Sequence, residues 1–335
     1  MELFFLVMTV VLAGAFAFVN GFHDVSNSAA TAVRTRALTP TIAVLLVAVF
    51  NVAGALMGTG IVVLFTDEWV SLPSGTVGLG ILLAGLVSAI VWGILTWLWR
   101  MPSSSTHALL GGLIGSGLAA AYLGGHDIAD ANSAIWQIIL PLLLSPVVAF
   151  VLSYVMVYPA MWLMRYSSPR QANTGSRMAQ AVLTGAFALG HGLQDGQRTM
   201  AVILLGLVAA GYATGSSMPL WVQVFAAVLL AGGSLFGGWR ISHTLAEKLV
   251  RVDPLRGMTA QGVSSAMLFF GAVALHMPLS STHTVASAIV GAGANQRFAT
   301  IRLTMVRRIL LTWLATAGAT AVMGAVFFLA ISPLL

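Results

Sequence analysis

Two aspartates of this sequence lie inside long apolar stretches, Asp24 in "NGFHDVSN" and Asp195 in "HGLQDGQR". A charged side chain at the centre of a bilayer costs at least about 2.5–3.5 kcal/mol. A carboxylate there needs a cation, hydrogen-bond donors or a proton. Two such residues in matching motifs therefore predict cation coordination or proton carriage, and the alternative is that each lies in a loop.

Polar side chains surround both aspartates. The candidates for handling a coupling cation with them are His23, Asn27 and Gln194, and those for contacting an anion are Gln197 and Arg198. His23 adjoins Asp24, and histidine exchanges protons near neutral pH. These two residues alone are an incomplete ligand set for a divalent metal, so a metal site stays open. Arg198 either pairs with Asp195, three residues earlier, or contacts the anion.

Glycines accompany the aspartates at Gly21, Gly192 and Gly196. Glycine tolerates unwound backbone, and the carbonyls freed by unwinding can bind a cation. We therefore expect the helices that carry the aspartates to be broken at these points.

A hydroxyl-rich hexapeptide occurs twice, as "PSSSTH" at 102–107 and "PLSSTH" at 278–283. Proline suits the first turn of a helix, so hydroxyls and free backbone N–H groups would cluster at two helix N-termini. Such a cluster can bind an anion, and plain helix capping is the alternative. The predicted anion ligands are Ser104, Ser105, Thr106, Ser280, Ser281 and Thr282. The histidines that end both hexapeptides could form structural hydrogen bonds or carry protons.

The composition excludes a soluble domain. The chain has 335 residues, of which 59% are hydrophobic and only 7% charged, whereas a soluble domain carries about 25% charged residues. About ten apolar stretches are long enough to cross a bilayer as helices, so we expect an all-α polytopic membrane protein. They cover residues 3–33, 41–64, 78–99, 102–122, 135–163, 178–207, 219–239, 258–275, 278–295 and 308–332.

Several function classes are disfavoured. The 15 lysines and arginines lie between the apolar stretches, where they set membrane topology rather than bind nucleic acid. The chain has no cysteine, which excludes disulfides and cysteine-metal sites. Nucleotide-binding and hydrolase motifs are missing from the sequence. We therefore expect neither an enzyme nor a bound cofactor.

The two pairs of motifs recur in the same order and at nearly the same interval, which indicates an internal duplication. Each half holds about five segments, and an odd number makes the halves enter the membrane in opposite directions. We predict a first membrane repeat at 1–165, a short cytoplasmic linker at 166–177 and a second repeat at 178–335. Broken helices or re-entrant hairpins are expected at the aspartate and Ser-Ser-Thr-His motifs.

Four motifs in this order resemble the inorganic phosphate transporter (PiT) family: 21–40, 101–117, 192–206 and 277–293. The resemblance spans both halves. It implies phosphate import driven by a cation gradient, through an inverted-repeat core that forms a homodimer. It also implies that the two aspartates, Asn27, Gln197 and the six hydroxyl residues of the hexapeptides form the substrate and ion site.

Two departures from the family pattern concern the coupling ion. Many members have asparagine where this chain has His23 and Gln194. The His-Asp form resembles the bacterial low-affinity branch, which is associated with protons and with metal–phosphate substrates, although that branch tends to have lysine at Arg198. The resemblance therefore favours proton coupling over sodium coupling and leaves a co-transported divalent metal open.

We accordingly expect a secondary transporter in the cell membrane, which is the inner membrane if the source is bacterial. Its substrate is predicted to be inorganic phosphate. Three alternatives remain from the sequence: a sulfate permease of the same fold, a sodium-coupled phosphate symporter, and a passive anion channel. Internal inverted copies with buried carboxylates favour a transporter over a channel.

Overall fold

A computed structural model of the protein describes residues 1–64, 72–124, 139–214, 217–296 and 301–335, and within these ranges the chain is helical and contains no strand. The first half contains α1 (Glu2–Arg34), α2 (Pro40–Leu56), α3 (Gly60–Leu64), α4 (Thr76–Leu98), α5 (Ser105–Gly124) and α6 (Leu140–Leu163). The second half contains α7 (Pro169–Ala209), α8 (Leu220–Phe236), α9 (Trp239–His243), α10 (Pro254–Val273), α11 (Ser281–Ala294) and α12 (Leu303–Ile331). The all-α prediction is confirmed.

The first two turns of α7 lie inside the predicted linker 166–177. Pro169 stands where its missing N–H has no helical partner. Ser168 Oγ accepts a hydrogen bond from Gln171 N at 3.3 Å, and the Gln171 side chain accepts one from Ser168 N at 3.0 Å. This reciprocal capping fixes the helix start. The connection between α6 and α7 is therefore shorter than predicted, while the division into two repeats stays a prediction.

The two halves pack in the same pattern. Helix α1 packs against α4 and α8, and α7 packs against α10 and α2. In the same way α5 packs against α12, and α11 packs against α6. Each half thus supplies the helices that cover the other, and corresponding helices occupy corresponding places. This exchange is consistent with the predicted inverted repeat.

Glycines at corresponding positions let these helices touch. A Cβ on Gly54 of α2 would overlap the carbonyl oxygen of Leu189 on α7. A Cβ on Gly233 of α8 would overlap the carbonyl oxygen of Phe18 on α1 in the same manner. Such backbone contact between helices requires a residue without a side chain. The pair of contacts repeats between the halves, as the duplication predicts.

Gly54→Ala is expected to lower stability, because the added methyl group must push α2 away from the Leu189 carbonyl. Overpacking of this kind costs typically about 1–3 kcal/mol. The matched control is Gly318→Ala on α12, where an added Cβ meets no atom within 4 Å. Thermal unfolding in detergent, followed by size-exclusion chromatography, should show a lower midpoint for the first variant alone. Equal midpoints for the two variants would contradict the close-contact role of Gly54.

The helices that carry the aspartates are not broken. Both α1 and α7 continue as regular helices through their aspartates, so the expected unwinding is not found. The neighbouring glycines serve helix contact instead. A Cβ on Gly21 would overlap the Leu230 carbonyl oxygen, and one on Gly192 would overlap the Asn51 carbonyl oxygen.

The hydroxyl motifs take the hairpin form. Helix α11 has 14 residues, or about 21 Å at 1.5 Å per residue, which is less than the roughly 30 Å of a bilayer core. It begins at the hydroxyl motif and follows α10 after a short turn. Helices α10 and α11 pack together as a hairpin whose second arm is too short to cross the bilayer, and we call this the second hairpin. Helices α4 and α5 form the corresponding first hairpin.

Five helices of the described residues are long and apolar enough to cross a membrane: Glu2–Arg34, Thr76–Leu98, Ser105–Gly124, Leu140–Leu163 and Leu303–Leu334. Two shorter apolar helices, α2 and α8, accompany them. Helix α7 is different because it carries the polar residues of the second aspartate motif. Its residues 190–206 are all buried, so protein rather than lipid surrounds this stretch.

Candidate functional site

The two aspartates meet where α1 and α7 lie side by side. Both Asp24 and Asp195 are 0% exposed. The imidazole of His191 lies between them, with Nε2 at 3.1 Å from Asp195 Oδ2 and 3.5 Å from Asp24 Oδ2. The structure thus brings the two predicted carboxylates to one place and puts a histidine between them.

Asp24 is bound by imidazole and hydroxyl groups. His23 Nδ1 lies 2.9 Å from Oδ1. From the second hairpin, Ser281 Oγ donates to Oδ2 at 2.9 Å, and Thr282 Oγ1 donates to Oδ1 at 3.4 Å. Asn27 Nδ2 donates to Thr282 Oγ1 at 2.9 Å. The first aspartate motif therefore contacts the second hydroxyl motif directly.

Asp195 is bound by a fixed cation and an amide. Arg198 Nη2 lies 2.7 Å from Oδ1, and Asn20 Nδ2 donates to Oδ2 at 2.8 Å. The same Nη2 of Arg198 donates to the carbonyl oxygen of Leu279 at 2.9 Å. Of the two alternatives for Arg198, the structure has the ion pair with Asp195.

The glutamines of the second motif bind backbone groups. Gln194 Nε2 donates to the carbonyl oxygen of Met277 at 3.2 Å, and Gln194 Oε1 accepts from Leu279 N at 3.2 Å. Gln197 Oε1 accepts from Ile61 N at 2.7 Å, which holds the start of α3. The structure therefore places both amides as supports of the surrounding backbone, and their roles as ligands stay predictions.

The hydroxyl residues divide into caps and donors. Ser280 Oγ accepts a hydrogen bond from His283 N at 3.2 Å, and Ser104 Oγ accepts one from His107 N at 3.3 Å. These two serines cap α11 and α5, as the capping alternative expects. The hydroxyl groups of Ser281 and Thr282 donate to the Asp24 carboxylate instead. The capping alternative thus holds for Ser280 and Ser104, while anion binding by the hydroxyls of the hexapeptides stays a prediction.

A small cavity of about 20 Å³ lies between α1 and the first hairpin. Its polar lining includes Asn20, His23, Ser103 and Ser105. Asn20 Oδ1 and His23 Nε2 are buried without a hydrogen-bond partner. A volume of this size holds a water molecule. The cavity connects the aspartate motif of the first half to the hydroxyls of the same half; Thr106 is buried one residue further on.

The two hexapeptide histidines stack on each other. The ring centroids of His107 and His283 are 4.6 Å apart, and His283 lies on Trp313 at 3.9 Å. Because one histidine comes from each hairpin, this stack joins the tips of the two hairpins. The contact gives both rings a packing role, while proton transfer by them stays a prediction.

His191 has an orientation fixed from α2 and α8. Ser234 Oγ donates to Leu230 O at 3.0 Å and accepts from Asn51 Nδ2 at 2.9 Å. The oxygen of the Asn51 amide therefore points to His191 Nδ1, at 3.0 Å. An amide oxygen only accepts hydrogen bonds, so Nδ1 of His191 carries a hydrogen.

This orientation favours the binding of a proton in the cluster. With Nδ1 already protonated, a neutral His191 would present a lone pair at Nε2 to the oxygens of Asp24 and Asp195. Two carboxylate oxygens within 3.5 Å of a lone pair would repel it. A proton on His191 Nε2 makes both contacts attractive, whereas a proton on one carboxylate relieves only the contact that this carboxylate makes. The cluster therefore suits the binding of one proton among three groups.

A metal ion is a second possibility for the same atoms. The ligand atoms of Asp24, His191 and Asp195 lie within 4.8 Å of one another. However, Arg198 and Asn20 already occupy the two oxygens of Asp195, and the guanidinium charge repels a divalent cation. The arrangement fits a proton better than a metal.

From the sequence, Asn20 is only one of several amides near Asp24 that could bind a cation or substrate, and His191 has no assigned role. They occupy the same place in the two matching motifs, four residues before each aspartate. In the structure each reaches the aspartate of the other half. The equivalent positions of Asn20 and His191 could have indicated that both contact an aspartate. Because their side chains differ, the sequence comparison of the two motifs does not align them as a matching pair.

Comparisons with known proteins agree with these observations. A sequence model of the phosphate transporter family matches residues 20–324. A probable low-affinity inorganic phosphate transporter of Bacillus subtilis is 35% identical over 326 residues, covering 96% of this chain and 96% of that protein. A protein of the same description from Rhizobium meliloti is 37% identical over 340 residues, covering 97% and 96%. The solved structure of a sodium-dependent phosphate transporter aligns with a TM-score of 0.84 at 19% identity, covering 99% of this chain and 100% of that one. At that identity the structural likeness concerns the fold alone.

Proposed function

Because this chain belongs to the phosphate transporter family, we propose that it imports inorganic phosphate by symport with a cation and that this cation is a proton. Membership of the family makes it a multi-pass membrane transporter and not an enzyme. Its location is the cell membrane, and the bacterial relatives compared above support the inner membrane of a bacterium. We also propose that the protein forms a homodimer.

The observation that carries the proton assignment is the position of His191. Its Nε2 faces the oxygens of Asp24 and Asp195 at 3.5 and 3.1 Å while its Nδ1 is held by an acceptor. A proton is the cation that such a nitrogen and two carboxylates share without further ligands. Sodium requires several oxygen ligands, which transporters often supply from unwound helices. Helices α1 and α7 are unbroken, so these carbonyls stay in helical hydrogen bonds.

Coupling between proton and phosphate follows from shared donors. Ser281 and Thr282 donate their hydroxyl groups to Asp24 in this structure. A proton on the Asp24 carboxylate weakens the hydrogen bonds from these hydroxyl groups, since charge-assisted hydrogen bonds are about twice as strong as neutral ones. The two hydroxyls can then turn to phosphate, together with the free N–H groups at the start of α11. Proton binding at Asp24 would thus prepare the anion site.

The decisive experiment is uptake of labelled phosphate into proteoliposomes containing the purified protein. A pH gradient alone, acidic outside, should drive accumulation that a protonophore abolishes, and a sodium gradient alone should not. Accumulation only with sodium would overturn the proton assignment. Strong competition by sulfate would favour a sulfate permease, and equilibration without accumulation would favour a channel. Magnesium or another divalent metal is varied to test a metal–phosphate substrate.

A further inference from the structure

The two aspartates of the site have unequal surroundings although their motifs match. Aligning the motifs at the aspartates places Asn27 of the first half at the position of Arg198 in the second. Asn27 is neutral and binds Thr282, whereas Arg198 is charged and binds Asp195. The duplication therefore carries a fixed cation on one side only.

The positive charge at Asp195 is permanent. Arginine stays protonated in proteins, and Arg198 is 1% exposed beside a carboxylate that is 0% exposed. Removing one partner of a buried ion pair leaves an uncompensated charge, which is strongly unfavourable. The guanidinium is also tethered by its bond to the Leu279 carbonyl. Asp195 therefore has its counter-ion supplied by the chain throughout.

The contacts of Asp24 are exchangeable by comparison. Its partners are the His23 and His191 imidazoles and the hydroxyls of Ser281 and Thr282. Imidazoles gain and lose protons near neutral pH, and hydroxyls rotate to other acceptors. A cation arriving from solution can therefore be accommodated at this aspartate and released from it.

We propose that Arg198 is a built-in counter-ion that takes the place of one mobile cation, so that the cluster loads a single coupling cation per cycle. This inference rests on the proposed function. Two carboxylates, one guanidinium and one proton sum to a neutral cluster, and loss of the proton leaves one negative charge. The ionisable groups around it are His23 and Asp24 on α1, His191, Asp195 and Arg198 on α7, His107 on α5, and His283 on α11. Helices α2 and α8 contribute the neutral Asn51 and Ser234.

The test counts cations per phosphate. The membrane potential and pH gradient that just stop net phosphate flux in proteoliposomes give this ratio for each variant. Arg198→Gln should raise the number of cations transported per phosphate by one relative to the native chain, because Asp195 then needs a mobile cation. Combining this change with Asp195→Asn should restore the native ratio, and Arg198→Lys should keep it. The matched control is Arg165→Gln, which removes an exposed arginine stacked on Trp162 outside the site.

A purely structural role for Arg198 predicts a different pattern. If the arginine only held the Leu279 carbonyl, the double variant would be as impaired as Arg198→Gln, and the ratio would not move. Either result, an unchanged ratio in the single variant or no rescue in the double variant, overturns the inference. If the native chain itself shows no gradient-driven uptake, the proposed function fails instead.

A stability measurement keeps the inference testable without transport. A buried carboxylate without its counter-ion is tolerated when protonated and costly when ionised. Arg198→Gln should therefore lose thermal stability relative to the native chain as pH rises, and addition of Asp195→Asn should remove this loss. The same loss in both variants would contradict a counter-ion role for Arg198.

Discussion

Asp24→Asn is expected to reduce proton-driven phosphate accumulation to the level of empty liposomes. The amide has nearly the size of the carboxyl group, but it cannot take up a proton or carry the negative charge that His23 and His191 face. It resembles the protonated carboxyl group, in which the hydroxyls of Ser281 and Thr282 are free for the anion. Labelled uptake under an imposed pH gradient measures the loss.

The same variant should retain exchange of phosphate across the membrane without dependence on pH. Exchange needs only the anion site and the movement between the two faces, and a permanently neutral residue 24 no longer responds to protons. Asp253→Asn is the matched control. Asp253 caps α10 away from the site, and asparagine caps helices equally well. Full proton-driven accumulation by Asp24→Asn would remove Asp24 from the coupling mechanism.

The sequence predicted the elements well because their signals are strong. Apolar stretches separated by charges located the long helices to within a few residues, with two exceptions. The predicted stretch 41–64 divides into α2 and α3, and α7 begins at Pro169 rather than near 178. The reason for the second exception is that the first turns of α7 are polar and carry Arg170 and Arg177. They are helical because of the Ser168 cap rather than because of apolar burial. Hydropathy cannot register a helix that extends beyond its apolar part.

The unwinding expected beside the aspartates shows what one sequence cannot separate. Glycine permits both an unwound backbone and a close helix contact. Gly21 and Gly192 serve the second purpose, against the carbonyls of Leu230 and Asn51. Those partners lie far away in the sequence, so nothing near the glycines distinguishes the two uses. The choice is made by tertiary packing alone.

The partners within the site were hidden for the same reason. The matching motifs indicated that Asp24 and Asp195 belong together, and the structure places them around His191. The contact of Asp24 with Ser281, however, crosses from the first half to the second. A duplication predicts that four motifs converge, but it does not say which hydroxyl reaches which carboxylate.

The second large effect is expected for His191→Gln. The amide nitrogen of glutamine can donate a hydrogen bond toward Asp24 or Asp195, but it has no proton to exchange near neutral pH. Hydrogen bonds to charged groups contribute about 1.5–3 kcal/mol, and about 1.4 kcal/mol corresponds to a factor of ten in an equilibrium constant. Proton binding at the cluster should therefore weaken about 10- to 100-fold, so uptake will require a more acidic external medium.

The measurement for His191→Gln is the external pH that gives half-maximal uptake, which should be lower than in the native chain. Asn51→Leu should move it in the same direction by a smaller amount, because His191 keeps its imidazole and loses only the acceptor at Nδ1. His243→Gln, an exposed position at the end of α9, serves as the control for the same exchange outside the site. A larger shift for His191→Gln than for Asn51→Leu, and none for the control, indicates that His191 carries the proton. If His191 only filled space, its loss would impair uptake equally at every pH. An unchanged pH profile in active His191→Gln would place the coupling proton on another group.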